Sequence, residues 1–300
     1  MDENTVPLPA SRDAELARRV FLSHYAGGTL RLYTSDLQLF FGWCAGFGVD
    51  PLAVRRSTLE AFVRHLELER HNAARSIARR FQTIRSFYRL AVADELLDRD
   101  PTYMVRLPRW SVDRSKIAWL DDRQMGRLLR QAEETSPHYH ALVALMAMLG
   151  LRVSEACSIS IEDFTEDAIG YILVTVTRKG GKVRTMPIPV PLLRILERAR
   201  DGRTAGPLIL TRRGNRQTRN GAYFWIKELC RKAGLPDNVH PHSLRHSYAT
   251  ALVRAGMSIV DTQESMDHAD IRTTMHYYHQ PMNHDRHGAH VAARVFASAA

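Results

Sequence analysis

Apolar residues recur at helical spacing along most of the chain. Over about 29–47 (TLRLYTSDLQLFFGWCAGF), Leu30, Tyr33, Leu37, Phe40, Phe41 and Cys44 share one stripe, and glycines close the run, which predicts a helix. Ser57-Thr58-Leu59-Glu60 has the form of a capping box, with Ser57 as cap and Glu60 three residues on. Leu59, Phe62, Val63 and Leu66 then continue at helical spacing. A third stripe (Ala74, Ile77, Ala78, Phe81, Ile84, Tyr88, Ala91) predicts a helix over about 73–93. Its other face carries Arg75, Arg79, Arg80, Arg85 and Arg89. Such a face suits contacts to a phosphate backbone, and it equally suits plain solvation.

Two stretches lack periodicity. Residues 1–18 are polar and contain proline, which predicts a flexible arm. Residues 98–116 (DRDPTYMVRLPRWSVDRSK) hold two prolines and many charges, which predicts a linker. The expected organisation is an arm over 1–18, a helical domain over 19–110 and a second domain over 111–300. The second domain opens on a helix near 121–134, with Asp121 as cap, then a buried helix around 138–149 and a turn at Gly150. Residues 171–188 (YILVTVTRKGGKVRTMPI) give the clear β signal, two β-branched runs flanking Gly180-Gly181 as in a hairpin. The rest, to about 296, reads as helices with short loops. The fold class expected is mainly α with a small β-hairpin or sheet in the second domain, an α+β arrangement.

Length and composition narrow the function classes. The 300 residues suggest about two domains, and a 45% hydrophobic fraction supports real cores. The longest apolar run, ALVALMAMLGL at 141–151, falls short of the ~20 residues a bilayer demands. The acidic N-terminal stretch MDENTVPLPASRD has no apolar core of a signal peptide. Cys44, Cys157 and Cys230 make neither an even disulfide set nor a CxxC pair. Secreted, membrane-spanning and zinc-finger classes are disfavoured, and a cytoplasmic protein with a polyanionic partner is the expectation. The formal net charge is +10, and all but five of the 42 basic residues are arginine. Arginine grips phosphate bidentately, although GC-rich coding also yields Ala- and Arg-rich chains.

Five short pieces carry chemistry. GLRVSEAC at 150–157 places Arg152 after a glycine turn, at the start of a helix, with Glu155 three residues on. Lys179 sits beside the hairpin turn in RKGGKVR. In HPHSLRHSYAT at 240–250, His242 and Arg245 share a helix face, while His240 and His246 fall elsewhere at helical spacing. An imidazole and a guanidinium together suit an anionic site with proton transfer. No HExxH or paired carboxylate suggests a metal. His268 lies in MDHADIRTT, and Tyr277 in TTMHYYH, next to a second tyrosine, Tyr278.

In order and spacing, Arg152, Lys179, His242-x-x-Arg245, His268 and Tyr277 resemble the active-site set of the tyrosine recombinases, the phage-integrase family. The resemblance covers nearly the whole chain, because residues 29–110 also look like that family's helical core-binding domain. It implies a Xer-like, two-domain, site-specific recombinase that cuts and rejoins duplex DNA through a 3′-phosphotyrosyl intermediate. The implied roles are Tyr277 as nucleophile (Tyr278 the fallback), Arg152 and Arg245 on the phosphate, and His242 as proton shuttle. His268 would donate to a non-bridging oxygen, and Lys179 would act as general acid. Glu155 fits the accessory carboxylate of the cluster. Neither cofactor nor metal is implied. The implied partners are duplex DNA with a specific site, further copies forming a tetramer on it, and a second recombinase or accessory protein; no membrane partner is implied. A catalytically impaired DNA-binding accessory protein and a type IB topoisomerase-like enzyme are the competing classes. One departure stands out: Met266-Asp267 occupies the place where the family usually has Leu-Gly before the histidine.

Overall fold

A computed structural model describes residues 10–111, 118–178, 181–267 and the single positions Met275, Ala293 and Ala297. The chain divides into two compact units, residues 1–113 and 114–300. The described residues are mainly helical, with one small three-stranded sheet in the second unit.

The first unit is built from α1 (Arg12–Ser23), α2 (Gly27–Gly46), α3 (Arg56–Arg64) running into a π-helical turn (His65–Glu69), and α4 (Ala74–Ala93). Its core is rich in aromatic rings: Phe21, Phe40, Phe62, Phe81, Phe87 and Tyr88 are all essentially inaccessible. Edge-on contacts such as Phe40–Phe62, with centroids 5.1 Å apart, follow the ring quadrupoles. Tyr88 keeps its hydroxyl satisfied by donating to the Pro51 carbonyl at 2.6 Å.

Four expectations for this unit are corrected. The arm ends sooner than residue 18: Ser11 caps α1 by accepting from the Ala14 N–H, and Ala14, Ala17 and Phe21 bury one face of it. Residues 1–9 lie outside the described residues. Helix α3 starts at Arg56, so Ser57 lies inside it and is not its cap. The chain leaves the extended conformation at Arg55, and Thr58 Oγ1 accepts the Arg55 N–H. The linker is partly structured: Val105 and Leu107 pack on the first core, and Asp100 closes a turn by accepting from Thr102. The arginine face of α4 is also not uniformly solvated. Arg79 and Arg80 turn to the buried Asp36 on α2, with Nη2 of Arg79 at 2.7 Å and Nη1 of Arg80 at 3.1 Å.

The second unit begins with α5 (Asp122–Thr135), where Asp121 and Gln124 form a reciprocal capping box. Helix α6 (Pro137–Met148) is buried on all sides, with Ala141 through Met146 inaccessible, and forms the centre of the unit. Around it lie α7 (Val153–Ser158), the antiparallel sheet β1 (Phe164–Glu166), β2 (Ile172–Thr177) and β3 (Val183–Pro187), and α8 (Val190–Arg200). Helices α9 (Arg219–Lys232), α10 (Pro241–Arg254) and α11 (Ile259–Met266) follow. The hairpin forms as expected, with Val174 opposite Met186 and Thr175 opposite Thr185. Strand β1 was not anticipated, since Phe-Thr-Glu is too short to show alternation; it pairs Phe164 with Val174. Residues 201–218 are also not helical but form turns tied by short bridges, Ser160 to Pro207 and Leu210 to Arg216. Among the described residues, no helix is long and apolar enough to cross a membrane.

Candidate active site

The site is assembled from chain turns that the core holds in place. Helix α6 ends at Met148, and Gly150 reverses the chain with φ +63°. A Cβ there would stand 2.6 Å from Cε1 of Tyr248 and closer still to Cδ1, so glycine is required twice over, by backbone and by contact. The Tyr248 ring lies on α10, and the close approach brings that helix against the turn. Arg245 of α10, only 2% exposed, donates to the Gly150 carbonyl at 2.6 Å and to the Met266 carbonyl at the end of α11. A helix C-terminus favours a cation, which offsets part of the cost of burying this guanidinium.

Arg152 is the N-cap residue of α7. Glu155, 4% exposed, accepts the Arg152 backbone N–H at 2.9 Å with one oxygen and its guanidinium at 2.7 Å with the other. Both carboxylate oxygens are thereby engaged, and the Arg152 side chain remains 40% exposed. Glu155 thus does two things at once: it caps a short helix and orients a cation.

Arg152, His242 and Arg245 line one cleft of about 760 Å³. The first residues of α9 (Arg219, Asn220) and of α10 (Pro241, His242) open on it, and helix N-termini favour anions. Thr177, at the end of β2, lies on the same wall. The ring of His242 reaches solvent, yet the cleft still desolvates it. That desolvation, with the electrostatic influence of Arg245, His240 and Arg152, lowers its pKa below the ordinary histidine value. A neutral imidazole beside two guanidiniums can accept a proton while the cations hold the oxygens of a phosphodiester.

Of the six residues singled out, Arg152, His242 and Arg245 come together here. Lys179, His268 and Tyr277, and the fallback Tyr278, lie outside the described residues. His240 and His246 do not point away as expected. The His240 and His242 rings stack with centroids 6.4 Å apart, and His242 meets His246 edge-on at 4.7 Å. His240 precedes the helix in an extended conformation, so helical spacing does not apply to it, and His246 is one turn along from His242. Arg219 and Tyr223 on the cleft wall were missed. The Thr218-Arg219-Asn220-Gly221 start of α9, where Thr218 accepts the Gly221 N–H at 3.0 Å, was the signal available.

Asp267, the departure noted above, caps α11 in the left-handed conformation (φ 48°, ψ 51°). That conformation explains a preference for glycine at this place. Its carboxylate meets the Arg178 guanidinium at 3.1 Å. Desolvation works against its ionised form, but the ion pair with Arg178 and the charges of Arg184 and Lys182 hold its pKa below the usual value.

Known proteins resemble the chain in sequence and in fold. Residues 118–284 match the model described as "Phage integrase family", and residues 22–95 match "Phage integrase, N-terminal SAM-like domain". The chain is 32% identical over 267 residues to tyrosine recombinase XerD of Pseudomonas aeruginosa, covering 85% of this chain and 87% of that one. In fold it is similar to lambda integrase solved as a dimer bound to a COC′ core site, with TM-score 0.71 and 17% identity over 87% of this chain and 95% of that one. It is likewise similar to lambda integrase solved as a tetramer bound to a Holliday junction, with TM-score 0.71 and 14% identity over 94% of this chain and 80% of that one.

Proposed function

Because the chain belongs to the phage integrase family, we propose that it is a site-specific DNA recombinase that cuts and rejoins duplex DNA through a 3′-phosphotyrosyl intermediate. The observation that carries this reading is the convergence of Arg152, Arg245 and a neutral-leaning His242 on one cleft. Tyr277 Oη attacks the scissile phosphorus and the bond to the 5′-oxygen breaks, so the phosphoester is conserved and no nucleotide is consumed. The phenol, with an ordinary pKa near ~10, gives its proton to His242. Lys179 supplies the proton taken up by the departing 5′-oxygen. Arg152 and Arg245 stabilise charge on the non-bridging oxygens, and His268 donates to one of them. Glu155 positions Arg152. Rejoining is the same step reversed with another 5′-hydroxyl.

The first unit, residues 1–113, serves as the core-binding domain and the second, residues 114–300, as the catalytic domain. They act together on duplex DNA inside the cell, as a tetramer across two sites. Contacts are mainly to phosphates, so log affinity falls steeply with log salt.

The test uses duplexes bearing a site selected by the protein from a randomised library, nicked near the cleavage position so that the cut is trapped. A covalent protein–DNA adduct on a denaturing gel, lost in Tyr277→Phe, is expected. An adduct lost in Tyr278→Phe instead would move the nucleophile, and adducts on arbitrary duplexes would favour a topoisomerase.

A further inference from the structure

The hairpin and the end of α11 are joined by two arginines that the proposed chemistry does not use. Arg178 follows the last residue of β2 and is 5% exposed, a depth at which a guanidinium requires a countercharge. Among the described residues, the carboxylate that meets it is that of Asp267, at 3.1 Å. Arg184 of β3 donates to the Glu264 carbonyl in the last turn of α11, a second tie between the same elements. Asp267 holds its carboxylate in place from a left-handed backbone position where a glycine would carry less strain.

The place of the pair in the chain gives it a consequence. Arg178 is directly bonded to Lys179, and Asp267 to His268, so a single ion pair fixes the backbone at the entry to two of the proposed catalytic positions. Thr177, one residue before Arg178, already lines the cleft. We propose that the Arg178–Asp267 ion pair is a positioning device that sets where the hairpin delivers Lys179 to the departing 5′-oxygen. It rests on the recombinase reading above. Neither Arg178 nor Asp267 touches the reacting atoms; both act through the residue that follows Arg178.

The test compares Asp267→Asn and Asp267→Gly with the wild-type protein in single-turnover cleavage of the selected, nicked duplex. Asp267→Gly removes the carboxylate while easing the left-handed backbone, which offsets part of the cost of leaving Arg178 unpaired, so melting temperature is measured alongside and rates are compared per folded molecule. Both variants should cleave about tenfold to a hundredfold more slowly, the range for a catalytic group displaced by a fraction of an ångström to an ångström. Affinity for the duplex should stay unchanged.

The distinguishing readout is a duplex with sulfur at the 5′-bridging position. A thiolate, whose conjugate acid has a pKa near ~8.5, departs without a proton, so the role of Lys179 becomes dispensable. On that duplex both variants should cleave at nearly the wild-type rate. An equal deficit on the oxygen and sulfur duplexes, or wild-type cleavage of the oxygen duplex by both variants, would overturn the positioning role and leave the recombinase reading intact. Failure of the wild-type protein itself to form an adduct would overturn both.

Discussion

Each unit buries a carboxylate against arginine, and the two are put to different use. Asp36 in the first unit, 2% exposed, joins two helices: it takes Arg79 and Arg80 from α4 across more than 40 residues of chain, and also accepts from Thr83 Oγ1 at 2.8 Å. Glu155 in the second unit is nearly as buried, at 4%, but its partner is three residues away. The long-range pair spends its cations on architecture. The local pair fixes one end of a guanidinium and leaves the other side of it on a cleft. Burial and ion pairing alone therefore do not mark a functional arginine. What distinguishes Arg152, and supports the role proposed for it, is a cation whose carboxylate is satisfied within one helical turn and which lines one cleft with Arg245 and His242.

Breaking each pair sharpens the contrast. Asp36→Ala should lower unfolding free energy by about 2–3 kcal/mol, less than the loss of a fully buried pair because both arginines reach water. Urea unfolding measures it, and adduct formation per folded molecule should be unchanged. Glu155→Ala should lower stability by a smaller ~1–2 kcal/mol, the worth of a lost cap and its charge-assisted bond, and slow adduct formation about tenfold because Arg152 loses its orientation.

The smallest effect concerns protons. His242 has a folded pKa below its unfolded value, so on acidification the unfolded chain binds a proton first. The stability linked to this residue is therefore complete above about pH 6.5, the unfolded value, and declines as pH falls from there toward the folded value. His138, His140 and His240 shift in the same direction. His242→Gln should flatten the acid side of a melting-temperature profile slightly. In the wild-type protein, the acidic limb of the cleavage rate should have its midpoint below pH ~6.5.

The long periodic elements were legible from the chain. Helix α4, α5 with its Asp121 cap, the buried α6 and the β2–β3 hairpin all carry strong local signals, and the structure has them within a residue or two. Shorter or locally ambiguous pieces were not. Strand β1 has three residues, and its pairing to β2 is a tertiary fact. Ser57 looked like a cap, yet the preceding Arg55 already had the extended conformation of one. In the site, the glycine turn, Arg152 and Glu155, and the His242-x-x-Arg245 spacing were readable because each lies within one turn of chain. The use of Arg79 and Arg80 on Asp36, the Tyr248 ring against Gly150 and the Arg178–Asp267 pair all join distant segments, which no local pattern encodes.

In the proposed reaction Arg152 stabilises the transition state while Glu155 holds it, and its role is not structural. The direct measurement is single-turnover adduct formation by Arg152→Ala, with duplex affinity and melting temperature determined on the same preparation. The expected result is a rate lower by about 10²–10³, the loss typical of one preorganised charge-stabilising donor, with affinity and melting temperature little changed. A rate close to wild type, or a loss matched by an equal loss of binding or of folded protein, would contradict the account.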